Sequence, residues 1–149
     1  QPRICSSVER ECDLVNYTAF LYFLKGTTLI YAGQEFENCH LPSLFEREPI
    51  DRDTGRDMSA LLARLHGIKR RFGCVDYFVA SADDENNIAV LERGGDGKRF
   101  FGVFSLRSEC AEVKIEAPDG EYENLIDSSR VTVKDSRIRS DGRPIIFEA

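Results

Sequence analysis

One short segment restricts what this chain can fold into. Thr27-Thr28-Leu29-Ile30-Tyr31 comes directly after a helical stretch and is closed by Gly33. It is β-rich and does not alternate, the pattern of a parallel strand covered on both faces. A buried parallel strand needs hydrogen-bonded neighbours on both edges, and parallel neighbours come from further strand–helix units. The first half of the chain offers only this one strand. Helix, strand, loop and helix in that order therefore read as a slice of a larger α/β structure.

The flanking elements fit the same reading. Ser6 with Glu9 three residues on has the spacing of a capping box, which predicts a helix starting at Ser6 or Ser7. The run Val15, Ala19, Phe20, Leu21, Tyr22, Phe23, Leu24 is apolar on nearly all faces, so this helix is expected to be buried on more than one side, with Gly26 as its stop. Next comes a long polar stretch from Gln34 to Arg56, of the kind that is uncommon without a function. Met58, Leu61, Leu62, Leu65, Ile68 and Phe72 then fall on one stripe at helical spacing, predicting a helix from about Asp57 that ends at Gly73.

Beyond Gly73 the pattern changes. Strands are predicted at 75–82, 87–93, 99–106, 112–116, 121–126, 130–134 and 144–148. They are punctuated by Asp83-Asp84-Glu85-Asn86, Gly94-Gly95-Asp96-Gly97, Pro118-Asp119-Gly120 and Ser140-Asp141-Gly142. Short strands at this spacing indicate an antiparallel sandwich or barrel. Val113 with Ile115, and Val131 with Val133, alternate as strands with one wet face do. The expected organisation is a helix–strand–helix unit over residues 1–73 and an all-β domain over 74–149.

A net charge of −6 and a pI of about 5.0 argue against nucleic acid as a partner, because phosphate backbones select basic surfaces. No apolar run is long enough to span a bilayer, so no membrane partner is expected. The five cysteines, Cys5, Cys12, Cys39, Cys74 and Cys110, match neither a zinc site nor a compact disulfide framework. They read as reduced thiols, and the expected location is the cytoplasm.

The motifs in order resemble the α-amylase family of glycoside hydrolases. Thr28-Leu29-Ile30-Tyr31-Ala32-Gly33-Gln34-Glu35 looks like that family's last barrel strand running into Gly-Gln-Glu. Residues 42–50 resemble the next loop in some bacterial members, and Leu61 to Arg71 resembles the last barrel helix. Asn124-Leu125-Ile126-Asp127, Val131-Thr132-Val133 and the run 144–148 resemble strands of the C-terminal β domain. Gln1-Pro2-Arg3 resembles the residues just after the family's Asn-His-Asp motif, beyond the seventh strand.

The resemblance implies an α+β fold: a helix–strand–helix remnant of a (β/α)8 barrel and then an antiparallel, sandwich-like C-terminal domain. It also implies a parent enzyme that cleaves α-glucosidic bonds of glucans or maltooligosaccharides with retention, using one carboxylate as nucleophile and one carboxylic acid as proton donor. Those two groups come from barrel strands that this chain lacks. No catalytic residue is carried over, and the chain alone is expected to be inactive. Arg3, Gln34 and Glu35 fall where a barrel loop meets the sugar face, as candidate substrate-binding residues of the parent. In the chain alone Arg3 is expected to be a loose terminus. No cofactor and no metal are implied. The competing reading is a non-catalytic module that binds glucan or drives oligomerisation.

Other patterns have plainer readings. Asp51 to Asp57 has the alternating acids of a calcium loop but lacks the Asp-Gly order and closing Glu, which leaves a solvated loop with Asp57 as helix cap. Gly94 to Lys98 is a hairpin turn rather than a phosphate loop. Asn16-Tyr17-Thr18 is a glycosylation sequon by pattern but lies in a buried helix. Cys39 beside His40 could form a reactive pair, although adjacent residues rarely point at each other usefully. Tyr77, Phe78, Phe100, Phe101 and Phe104 are expected in the core more than in a sugar-stacking platform. An uncovered barrel strand and helix are expected to drive self-association.

Overall fold

The computed structural model describes residues 3–149 apart from residues 9, 44 and 75. Three layers stack: helices, a first sheet and a second sheet. The helices are α1 (Ile4–Ser7), α2 (Glu11–Phe23) and α3 (Ser59–Arg71), with a 3-10 turn at Gln34–Phe36 between α2 and α3. The strands are β1 (Tyr77–Asp83), β2 (Ile88–Gly95), β3 (Lys98–Ser105), β4 (Ala111–Lys114), β5 (Gly120–Glu123), β6 (Arg130–Lys134), β7 (Arg137–Ser140) and β8 (Ile145–Glu148). They form two antiparallel four-stranded sheets, ordered β1-β2-β3-β8 and β4-β7-β6-β5.

Over β2, β3 and β8 the first sheet is buried on both faces, while its edge strand β1 is largely exposed, and the sequence of the buried strands shows why. In β3, Phe100 and Phe104 point toward the helices, while Phe101 and Val103 point toward the second sheet. β2 divides Leu91 from Ile88 and Val90 in the same way, and β8 divides Ile146 from Ile145 and Phe147. Successive strand residues alternate faces, so a layer covered on both sides is written as a continuous apolar run. On the helix side, Phe23 meets Phe72 and Phe104 edge-on at 5.2 and 5.7 Å, and Phe72 meets Phe100 at 4.9 Å. The second sheet has one wet face, as the alternation around Val113 and Val133 predicts.

Polar groups tie the layers together. Asn16 is fully buried. Its Nδ2 donates to the carbonyls of Cys12 (3.0 Å) and Gly142 (2.8 Å), and its Oδ1 accepts from Ser105 N at 3.0 Å. With its amide nitrogen committed, the sequon cannot serve as a glycan acceptor in this fold. Asn124 Oδ1 accepts from Ile126 N and Ile146 N, and its Nδ2 donates to Pro144 O. Lys69 Nζ donates to the carbonyls of Tyr22 and Leu24, satisfying the open C-terminal end of α2. Burial, and secondarily the Arg93 charge, lowers the Lys69 pKa. Arg93 lies under the helices, 4.1 Å from the Phe72 ring centroid, and donates to Phe23 O.

Several expectations need correction. The main N-terminal helix begins at Glu11; Ser6 sits in the short α1, with its hydroxyl donating to Arg3 O. Glu9, the other half of the expected capping box, lies outside the described residues, as do Gln1, Pro2, Leu44 and Val75. α2 is buried on more than one side, as its apolar run predicts, with Leu21 exposed. Residues 27–31 form no strand, and Leu29 is 83% exposed. The reason is the one that makes the segment informative: a parallel strand with no neighbour has nothing to pair with. The strand expected at 121–126 ends early, at Glu123, where Asn124 turns inward. β7 has no counterpart among the expected strands. The Asp135-Ser136 turn joining it to β6 places both residues at positive φ without glycine, so it lacks the usual Asn-Gly or Asp-Gly signal. The β2–β3 hairpin does carry that signal, turning on Asp96-Gly97.

Candidate functional site

The three candidate residues come from two segments distant in sequence, and a turn built on Gly33 gathers them. Gly33 has φ +89°, and a Cβ there would lie 3.0 Å from Ile50 Cγ2 and 3.4 Å from Arg3 Nη1. Glycine is required on both counts. Gln34 then opens the 3-10 turn, and the Gln34 side-chain oxygen accepts from Tyr31 N at 3.3 Å. Glu35 Oε2 accepts from Gly33 N at 2.9 Å, and Glu35 O accepts from Met58 N at 2.7 Å. Glu35 thus holds the turn and anchors the start of α3.

Arg3 is not a loose terminus. Its Nε donates to His40 O at 2.6 Å and its Nη1 to Ala32 O at 2.8 Å, and its guanidinium lies 4.8 Å from the Tyr31 ring centroid. Two carbonyls and an aromatic face fix a planar fork well. This clamp carries the N-terminal segment across the loop at 32–40.

A cavity of about 520 Å³ opens beside the clamp, with Arg3, Tyr31, Gln34, Glu37 and Asn38 on its polar side and Leu14, Leu41 and Pro42 on its apolar side. Its size and its mainly apolar walls with a few polar groups are those of a small-molecule site. Arg3 and Gln34 line it; Glu35 faces its own turn. Of the described lining residues, Glu37 alone carries a carboxylate, and Arg56 Nε lies 4.0 Å from it. Two-carboxylate glycoside chemistry cannot be run from one carboxylate. Sequence reasoning missed Tyr31, Glu37 and Asn38 as cavity residues; only their nearness to Gly33 could have drawn attention to them.

The remaining motifs resolve locally. His40 Nε2 lies 3.0 Å from Glu48 Oε2 while Cys39 Sγ faces Glu37 O, so the adjacent Cys39 and His40 do not form a pair. Glu48 also accepts from Ser43 N, and that bond, with His40, holds its pKa below the usual carboxylate value. Asp57 Oδ1 accepts from Ser59 N at the start of α3, and Asp51 Oδ1 accepts from Asp53 N. Phe100, Phe101 and Phe104 are core residues, and Tyr77, at the sheet edge, donates its hydroxyl to Glu92 at 2.6 Å.

The two-sheet sandwich and its helical cover define a class of protein. Residues 80–147 match the family described as the bacterial alpha amylase C-terminal domain. With the fold, this supports reading the chain as a C-terminal part of an α-amylase-family protein. An alpha-amylase from Lactobacillus plantarum shares the fold across 100% of this chain and 36% of its own, with a TM-score of 0.90 and 25% identity. A noncanonic maltogenic alpha-amylase from Thermotoga neapolitana shares it across 99% of this chain and 38% of its own, at TM-score 0.80 and 20% identity. The maltogenic amylase from S. marinus covers 99% of this chain with 21% of its own length, at TM-score 0.69 and 18% identity. The chain thus spans little more than a third of the first two of these structures. A comparison with curated proteins returned no significant match.

Proposed function

We propose that this chain is the non-catalytic C-terminal part of a retaining glycosidase acting on α-glucosidic bonds of glucans or maltooligosaccharides. In this reading residues 1–73 complete a (β/α)8 barrel and residues 74–149 brace it. The observation that carries it is the unpaired segment at 27–31. It is β-rich, ends in a glycine turn, and is flanked by two helices already packed on the β domain. Neighbouring barrel strands would give Leu29 the cover it lacks here. The Gln34–Phe36 turn and the Arg3 clamp would then lie at the carboxyl end of that strand, the face on which barrel enzymes build their sites. Arg3 and Gln34 would contribute polar groups to the sugar site there, and Glu35 would support the loop. The nucleophile and the acid would come from chain outside these residues. The five unpaired thiols suit a reducing, cytoplasmic setting.

The test is to express the chain together with the coding sequence that precedes Gln1. The reading expects an Asn-His-Asp directly before Gln1, two earlier carboxylate-bearing strand motifs, and hydrolysis of maltooligosaccharide that releases the α-anomer first. A longer protein without those carboxylates, or one that releases the β-anomer, would refute it.

A further inference from the structure

The edge of a β-sheet presents a row of unpaired backbone donors and acceptors unless something guards it. The strands at the edges of the two sheets are β1 and β8, and β4 and β5. Three of these are guarded. β8 is covered along its outer side, where Ile146 O accepts from Leu125 N at 2.7 Å and Ile146 N donates to Asn124 Oδ1 at 3.0 Å. β4 and β5 are four residues long and turn charges to solvent, Glu112 and Lys114 on one and Glu121 and Glu123 on the other.

β1 shows none of these devices among the described residues. Tyr77-Phe78-Val79-Ala80-Ser81-Ala82-Asp83 pairs with β2 residue for residue, with no bulge. It contains no lysine, arginine or proline. Its one charge, Asp83, lies at the strand end, where it accepts from Asn86 N at 3.1 Å and Asn86 Nδ2 at 2.9 Å. Ser81 pairs with Val90, whose side chain faces the second sheet, so Tyr77 and Val79 lie on that side too. There a cavity of about 540 Å³ separates β1 from Val113 and Ile115, and Val79 is left 54% exposed.

A long, apolar, unguarded edge is completed by another strand, and the residues of β1 say which. Laid antiparallel on a copy of itself about a two-fold axis at Ala80, all seven residues pair. Tyr77 meets Asp83, Phe78 meets Ala82, Val79 meets Ser81, and Ala80 meets its own copy. Each larger side chain faces a smaller one, and no like charges are opposed. A two-fold interface has to be self-complementary in this way. We propose that β1 is a docking edge for a second copy of this chain, the two β1 strands pairing antiparallel so that the two first sheets become one continuous sheet. This contact is separate from the apolar stretch ahead of α3 and does not depend on the glycosidase reading.

The test combines sedimentation equilibrium with hydrogen exchange read by mass spectrometry. Val79→Lys places two lysines diagonally across the two-fold axis at an exposed position, and its thermal unfolding should match that of the unsubstituted chain. Leu29→Asp charges the stretch ahead of α3 and leaves β1 as it is. The expected result is a dimer for the unsubstituted chain and for Leu29→Asp, and its loss in Val79→Lys. Amides of residues 77–83 should exchange severalfold more slowly at high protein concentration, with those of β4 and β5 unchanged. A dimer that survives Val79→Lys, or no concentration-dependent protection of residues 77–83, would overturn the proposal. So would a chain that stays monomeric while an added, end-capped peptide of alternating valine and threonine protects β1, since the edge would then take a foreign strand.

Discussion

At the scale of single residues, position 33 decides whether the candidate site exists. Its backbone is left-handed and its Cβ position is crowded by Ile50, Asn38 and Arg3. Gly33→Ala should cost about 1–3 kcal/mol in urea unfolding and release Arg3 from Ala32 O. Asn16 holds an equivalent place in the core, because three backbone groups depend on its amide. Asn16→Ala leaves Ser105 N–H and Gly142 C=O buried without partners. It should destabilise by roughly 2–6 kcal/mol on the same measurement, at 1–3 kcal/mol for each of the two orphaned groups. The two roles are not equally legible in sequence. Gly33 stands out because it closes an apolar run before a polar loop. Asn16 looks like an ordinary helix residue, since its partners are the end of β3 and a loop, 89 and 126 positions away.

Elements were readable where local chemistry decides them. α3 is written in its apolar stripe and in Gly73, which sits at φ +62°. The segment at 27–31 was legible as a strand type, yet pairing is a property of neighbours and not of the segment. β7 was hidden by its turn. Asp119 compensates there, accepting from Asp135 N at 2.9 Å and Ser136 N at 3.1 Å. Those bonds, the Ser136 one first, hold the Asp119 pKa below its ordinary value. A carboxylate lowered in the folded state adds stability above its unfolded pKa, and that stability is lost as pH falls through the folded value. The unfolding temperature of the chain should therefore fall as pH drops below about 4. Asp119→Asn should be less stable at neutral pH and lose less on acidification. Equal losses for both forms would remove Asp119 from this account.

Over the whole molecule, apolar surface is distributed unevenly. Leu29 (83% exposed), Tyr31 (55%), Leu41 (57%) and Phe45 (96%) lie in one stretch of chain ahead of α3. The β sandwich keeps its large side chains inside, with Tyr77 and Val79 on the β1 edge as the large apolar exceptions among the described residues. A surface of this kind drives association. Light scattering on the purified chain should show mass rising with concentration, and a strict monomer at high concentration would count against an uncovered barrel face. Catalytic competence is the most direct question at this scale. The cavity carries one carboxylate among its described lining residues, and retaining glycoside hydrolysis needs two about 5 Å apart. Maltooligosaccharide incubated with the purified 149-residue chain should show no turnover above buffer; turnover by that chain alone would contradict the account.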